Sequence, residues 1–180
     1  QRIEILKALY RRARLLILDE PTTGLTAEET ARLFEASRRM ADGGMAVIVI
    51  THKIHDAVQL CDRASVMNSG TMVRTTPMSD TSPRELIELM IPVGADSESR
   101  LAIDAFLGGE ESEDGEERET DDATREATPG GTSAAQPILS AGGLVVGSPP
   151  AVKGVDLDLR PGRVLGIAGV AGNGQRQLLE

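Results

Sequence analysis

Leu15–Leu18 in "RLLILDEP" and Ala46–Ile50 in "MAVIVITHK" are unbroken apolar runs. Strands of that kind, rather than alternating ones, are buried on both faces, which predicts a parallel sheet between helices. The stretch between them, "TAEETARLFEASRRMADGG", has helical spacing, with Leu33, Phe34, Ser37 and Met40 on the inward face. Thr26 with Glu29 predicts a capping box, and Gly43-Gly44 ends the helix. Further on, "KIHDAVQLCD" reads as a short helix, and "ASVMNSGTMVRTT" as a hairpin of two edge strands turning at Asn68-Ser69-Gly70. "SPRELIELM" is a helix with Ser82 as its cap, Pro83 at its first position and Glu85 completing a second capping box. The opening, "QRIEILKALYRRA", sets Ile3, Leu6, Leu9, Tyr10 and Ala13 on one face, so the chain starts without Met inside a predicted helix and reads as a fragment.

A second patterned region lies near the other end. Val155, Leu157 and Leu159 alternate with Asp156 and Asp158 as a half-exposed strand. Pro161-Gly162 turns the chain into "VLGIAG", a buried strand that leads to Gly169, Gly172 and Gly174. Between the two regions, Gly108 to Pro137 holds ten acids against Arg118 and Arg125, so that −8 of the net charge of −9 lies there and −1 everywhere else. With no large apolar residue to offset its ordering entropy, this acidic stretch is predicted to be a disordered linker. The organisation expected is therefore 1–93 globular, 94–137 linker, and 138–180 globular.

Composition narrows the setting. The 40% apolar content supports a core. No apolar run approaches the roughly 20 residues of a membrane helix and no signal peptide opens the sequence, so any link to a membrane is expected to be peripheral. Cys61 is the single cysteine and is expected as a buried reduced thiol. The rest of the chain is nearly neutral and the linker is acidic, which argues against nucleic acid as a partner.

Asp19 and Glu20 stand where the first apolar run ends. Ligands of a parallel sheet sit beyond the carboxyl ends of its strands. Two adjacent carboxylates repel, a cost removed when a cation sits on one and the other handles a proton. Hydrolysis of a magnesium nucleotide requires that division of labour, whereas an isolated "DE" in a turn is more simply two solvated acids. The second run ends in Thr51-His52. "LLILDEPTTGLTAEE" followed by "VIVITHKIHDAVQLCDRASVMNSGTMV" resembles the Walker B segment, D-loop and switch-histidine region of the ATP-binding-cassette ATPases. Thr26 in place of the usual Asp, together with "QRIEILKALYRRARLLILDEP", resembles the importer ATPases for simple sugars and nucleosides. The resemblance covers about half the chain, from Gln1 to roughly Met90.

It implies a P-loop NTPase-like α/β fold, a partial parallel sheet with flanking helices and an antiparallel β edge. It also implies ATP and Mg as cofactors. Asp19 would hold Mg through water, Glu20 would polarise the attacking water, and His52 would contact the γ-phosphate. Gly24, Leu25 and Thr26 would form the D-loop that crosses between paired cassettes. His55 is read as structural.

The glycine-rich turn is a weaker signal. Glycines let backbone N–H groups close around phosphate. However, "GVAGNGQR" sets Gln175 where the phosphate-loop pattern has Lys and Arg176 where it has Ser or Thr. Gly169, Gly172, Asn173, Gly174, Gln175 and Arg176 thus resemble a degenerate phosphate loop opening a second cassette of the same importer type. Binding could persist there while hydrolysis is impaired.

The resemblance implies the end of one cassette, the linker, and the start of another, with the loop serving a different ATP site from Asp19, Glu20 and His52. The whole protein would hydrolyse ATP on the cytoplasmic face of the membrane to drive uptake of a simple sugar or nucleoside. Its partners would be transmembrane permease subunits and, indirectly, an extracellular substrate-binding protein, with the two cassettes pairing; the chain alone would be inactive. Two alternatives stand beside this, a tandem cassette that acts on the ribosome and an inactive truncated remnant.

Overall fold

The computed structural model describes residues 13–91, 136–147, 151–170 and 172–179. The predicted opening helix and nearly all of the predicted linker lie outside the described residues. The strands are β1 (Leu15–Asp19), β2 (Ala46–Thr51), β3 (Arg63–Asn68), β4 (Thr71–Pro77), β5 (Leu139–Val146), β6 (Val152–Leu159) and β7 (Val164–Ala168). The helices are α1 (Ala27–Asp42), α2 (Ile54–Leu60), α3 (Pro83–Met90) and α4 (Gln175–Leu179), with a single 3₁₀ turn at Met78–Asp80. No described helix is long and apolar enough to cross a membrane.

The main sheet has the order β1-β2-β7-β3-β4. β1, β2, β7 and β3 run parallel and β4 is antiparallel to β3, so the predicted α/β fold with an antiparallel edge is present. β2 is buried at all six positions, as its unbroken apolar run predicts. Val47 and Val49 join Phe34 and Ala41 of α1 and Ala57 and Leu60 of α2 on one face. Ala46, Ile48 and Ile50 meet Val152, Val155, Leu157 and Leu159 of the β5–β6 hairpin on the other. The main sheet thus lies between helices and a small antiparallel sheet. β1 departs from expectation. It is the outer strand, so Leu16 and Leu18 are buried while Ile17 is 40% exposed.

β7 lies inside the same sheet as the strands that precede the acidic stretch, paired to β2 from Val47–Val164 to Thr51–Ala168 and to β3 from Arg63–Leu165 to Val66–Ala168. The physical reason is that β7 is apolar on both faces: Val164 joins the helical side, while Leu165 and Ile167 join the β5–β6 side. Such a strand is stable only in a sheet interior. Gly166 permits the fit, since a Cβ there would lie 2.8 Å from the Cys61 Sγ. Consequently β3, expected at an edge, is an interior strand, and only β4 ends the sheet on that side.

Polar ties fix the insertion at both ends. At the start of β7, the Asp62 carboxylate accepts from the Val164 N–H at 2.7 Å and from Arg38 Nη1 at 3.0 Å. Arg38 Nη2 also donates to the Gly162 carbonyl at 3.3 Å. Beyond its end, the Gly70 N–H donates to the Asn173 carbonyl at 2.9 Å, and the Lys153 N–H donates to the Gly70 carbonyl at 2.7 Å. Gly70 is required there: its φ is +80°, and a Cβ would sit 1.7 Å from the Ala151 oxygen.

The first capping box forms as predicted, with Glu29 N–H donating to Thr26 Oγ1 at 3.3 Å and Thr26 N–H to Glu29 Oε2 at 3.2 Å. The second is half-formed. Ser82 Oγ accepts from the Glu85 N–H at 3.2 Å, but the Glu85 carboxylate turns instead to Thr81 Oγ1, at 3.0 Å, and to Arg74. An arginine on the neighbouring strand is the stronger partner for a carboxylate.

Cys61 is buried. Burial, with the Asp62 and Asp56 carboxylates adding to it, pushes its thiol from 9.0 up to about 12. The folded state therefore favours the neutral thiol, and the stability this contributes is complete below pH 9.0 and lost as pH rises toward 12. A maleimide at mildly alkaline pH is expected to leave the folded chain unlabelled and to label it fully in denaturant. Rapid labelling of the folded chain would contradict this.

Candidate active site

Because β1, β2 and β7 run in one direction and in register, their carboxyl ends open on one edge of the sheet. Asp19 pairs with Ile50, Ile50 with Ile167, and Thr51 with Ala168. Asp19, Glu20, Thr51, His52 and the loop from Gly169 therefore stand at one level on adjacent strands. Pairing of β7 with β2 brings them to a common edge.

Glu20 leaves β1 with φ +44°, in the left-handed region that costs a non-glycine residue about 1 kcal/mol or more. Its own N–H stays in the ladder, donating to the Ile50 carbonyl at 2.9 Å. This bend turns the side chain toward β2, where Oε1 accepts the His52 N–H at 3.1 Å and lies 2.8 Å from His52 Nδ1. An ionised carboxylate only accepts, so Nδ1 carries the proton in that contact. Glu20 Oε2 is buried and has no hydrogen-bond partner among the described residues. A buried polar oxygen left unsatisfied is costly and calls for a ligand or a water. The His52 side chain is 52% exposed, which leaves Nε2 available outward. Asp19 is exposed at the strand end.

Pro21 and Thr22 are buried beneath this edge, and Thr22 Oγ1 donates to Asp56 Oδ2 of α2 at 2.5 Å. The sequence reading missed this pair. A signal was present, since Asp56 falls among the inward positions Ile54, Ala57 and Leu60 of its helix. The turn continues through the Thr23 N–H to the Glu20 carbonyl at 3.3 Å and the Leu25 N–H to the Thr22 carbonyl at 3.2 Å, with Gly24 at φ +76°. Thr26 spends its hydroxyl on the cap of α1. His55 is exposed, and its Nε2 lies 2.7 Å from Gln59 Nε2 one turn along the same helix.

The loop after β7 is held from both sides. Asn173 accepts the Ser69 N–H at Oδ1, 3.1 Å, and its Nδ2 donates to the Met67 carbonyl at 3.4 Å. Gly172 and Gly174 have φ +91° and +98°. Gln175 is buried, and its Nε2 donates to the Val170 carbonyl at 3.1 Å. It thus closes the loop across its width, and a Cβ on Gly169 would lie 2.4 Å from that nitrogen. Gln175 supplies a donor but no charge, whereas Arg176 is exposed at the start of α4.

Among the described residues, no three His, Cys, Asp or Glu side chains cluster as a metal cage. The oxygen donors at this edge, exposed Asp19 and the unpartnered Glu20 Oε2, are of the kind that suits Mg, which is held by one or two carboxylates plus waters and substrate phosphates.

Comparison with known proteins specifies the family. The chain is 38% identical to the glucose import ATP-binding protein of Haloferax volcanii over 100% of its own length and 28% of that protein. It is 32% identical to a ribose import ATP-binding protein of Rhizobium johnstonii over 99% of the chain and 30% of the relative. It is 33% identical to the nucleoside import ATP-binding protein of Lactococcus lactis subsp. cremoris over 100% of the chain and 31% of the relative. The chain belongs to the ATP-binding-cassette family, and the relatives it matches are named as import ATP-binding proteins. It spans less than a third of the length of these curated relatives. No protein-family model and no solved structure matches it.

Proposed function

We propose that the chain is part of the ATP-binding subunit of an importer that hydrolyses ATP to take up a simple sugar or a nucleoside. The observation that carries this reading is the common edge at which Asp19, Glu20, His52 and the loop of Gly169 to Arg176 meet. The relatives named above support import rather than action on the ribosome. Transmembrane permease subunits are the partners on the cytoplasmic side of the membrane, and a substrate-binding protein outside the cell acts through them. Cassettes pair in the working protein, with Gly24, Leu25 and Thr26 at the contact.

Asp19 would hold Mg through water, and the ion would supply neutralisation of charge on the phosphates. Glu20 takes the proton of the attacking water at Oε2, since Oε1 is committed to His52. His52, with Nδ1 on Glu20, turns Nε2 to the γ-phosphate. Phosphoryl transfer depends on positioning and charge neutralisation more than on covalent help, which suits this set. The loop cradles phosphate through its backbone. Gln175 leaves it without the ammonium of the usual Lys, and Arg176 without the hydroxyl that binds Mg.

The 180-residue chain is therefore expected to bind MgATP weakly and to turn none over, while the whole protein hydrolyses ATP. Equilibrium binding and phosphate release on both test this. Turnover by the chain, abolished by Glu20→Ala, would show that Gln175 and Arg176 suffice. A whole protein that neither binds nor hydrolyses ATP would end the proposal.

A further inference from the structure

We infer that the buried Thr22–Asp56 pair is a positioning latch that sets the contact between Glu20 and His52; the role rests on the function proposed above. The exits of β1 and β2 are braced twice. One brace is the Glu20 carboxylate on the His52 N–H, at 3.1 Å, and on Nδ1, at 2.8 Å. The other is Thr22 Oγ1 on Asp56 Oδ2 at 2.5 Å, two residues after Glu20 on one side and four after His52 on the other. The first brace is half-exposed and contains the reacting carboxylate. The second is buried, with Thr22 at 2% and Asp56 at 4% exposure, and touches no reacting group.

A hydroxyl–carboxylate bond shielded from water is short and directional. It is therefore suited to holding the Glu20–Thr23 turn against the start of α2. Glu20 needs that support, because its backbone sits at φ +44° and relaxes toward ordinary extended geometry when the turn is released. Relaxation would draw Oε1 away from His52 and return both side chains to solvent.

The test uses the full chain with ¹⁵N-labelled histidine. Two-bond ¹H–¹⁵N spectra at neutral or higher pH report which ring nitrogen of His52 is protonated. The wild type is expected to give the Nδ1–H form. Thr22→Val, which keeps the shape but removes the donor, is expected to lose that signature, and Thr22→Ser to restore it. In the whole protein, Thr22→Val is expected to lower kcat by about 10-fold or more with KM for ATP nearly unchanged, again restored by Thr22→Ser. Asp56→Asn keeps the shape and an accepting oxygen but removes the charge that strengthens the bond, so it reports in the same direction should Thr22→Val fail to fold. An unchanged His52 signature in Thr22→Val and Asp56→Asn overturns the latch, as does a Thr22→Ser variant that rescues neither readout. If the whole protein hydrolyses no ATP, the proposed function fails whatever the spectra show; if it does and the signature ignores Thr22, the latch alone fails.

Discussion

Glu20→Gln in the whole protein is expected to leave binding of ATP with Mg in place and to lower turnover by roughly 10²–10⁴-fold. The geometry accounts for both halves of that result. The side-chain amide keeps an oxygen to accept the His52 N–H, which lies 3.1 Å from Glu20 Oε1, so the turn and the histidine stay where they are. The atom that changes is the other one, the buried oxygen with no partner among the described residues. As NH₂ it can donate to a water but cannot take its proton. Asp19 is untouched, so the cation and the nucleotide remain bound. Parallel measurement of nucleotide affinity and phosphate release separates the two effects. A variant with near-normal turnover would show that Glu20 is not the base, and one that loses affinity equally would show a binding role instead.

Most of the local structure was legible because its causes are local. The capping box of Thr26 and Glu29, the turn at Ser69-Gly70 and the buried run of β2 each follow from residues a few positions apart. Glu85 departed from its predicted role because Arg74, a strand away, competes for its carboxylate. Asp19, Glu20 and His52 were legible as candidates because a strand end is visible in sequence. Their joining to the loop at Gly169 was not. It depends on pairing between Ala46–Thr51 and Val164–Ala168 across the acidic stretch, and apolar runs carry no label for their partners. The same limit hid Thr22–Asp56, whose two members sit on different elements.

Ile167→Asp is expected to abolish the cooperative fold of this chain. Ile167 is wholly buried in β7, opposite Ile50 on one side and Ser65 on the other. It belongs to the same apolar cluster as Ala46, Ile48, Ile50, Val155 and Leu157. An unpaired carboxylate in such a place costs several kcal/mol, of the order of the roughly 5–15 kcal/mol that holds a whole domain together. The position of β7 magnifies the loss. β2 and β3 do not pair with each other, so β7 alone joins β1 and β2 to the β3–β4 hairpin. Ile17→Asp, on the exposed side of β1, places the same charge in the same sheet and is expected to cost only about 0.5 kcal/mol. Urea unfolding followed by circular dichroism measures both, and amide exchange shows where protection is lost. In Ile167→Asp, exchange in β2, at Val47 and Val49, is expected to rise together with exchange in β3, at Ala64 and Val66, because these amides face β7 and both strands lose the neighbour that lies between them. If the stretches before and after the acidic segment fold as independent units, the substitution would leave exchange in β2 and β3 unchanged, and the shared sheet would be wrong.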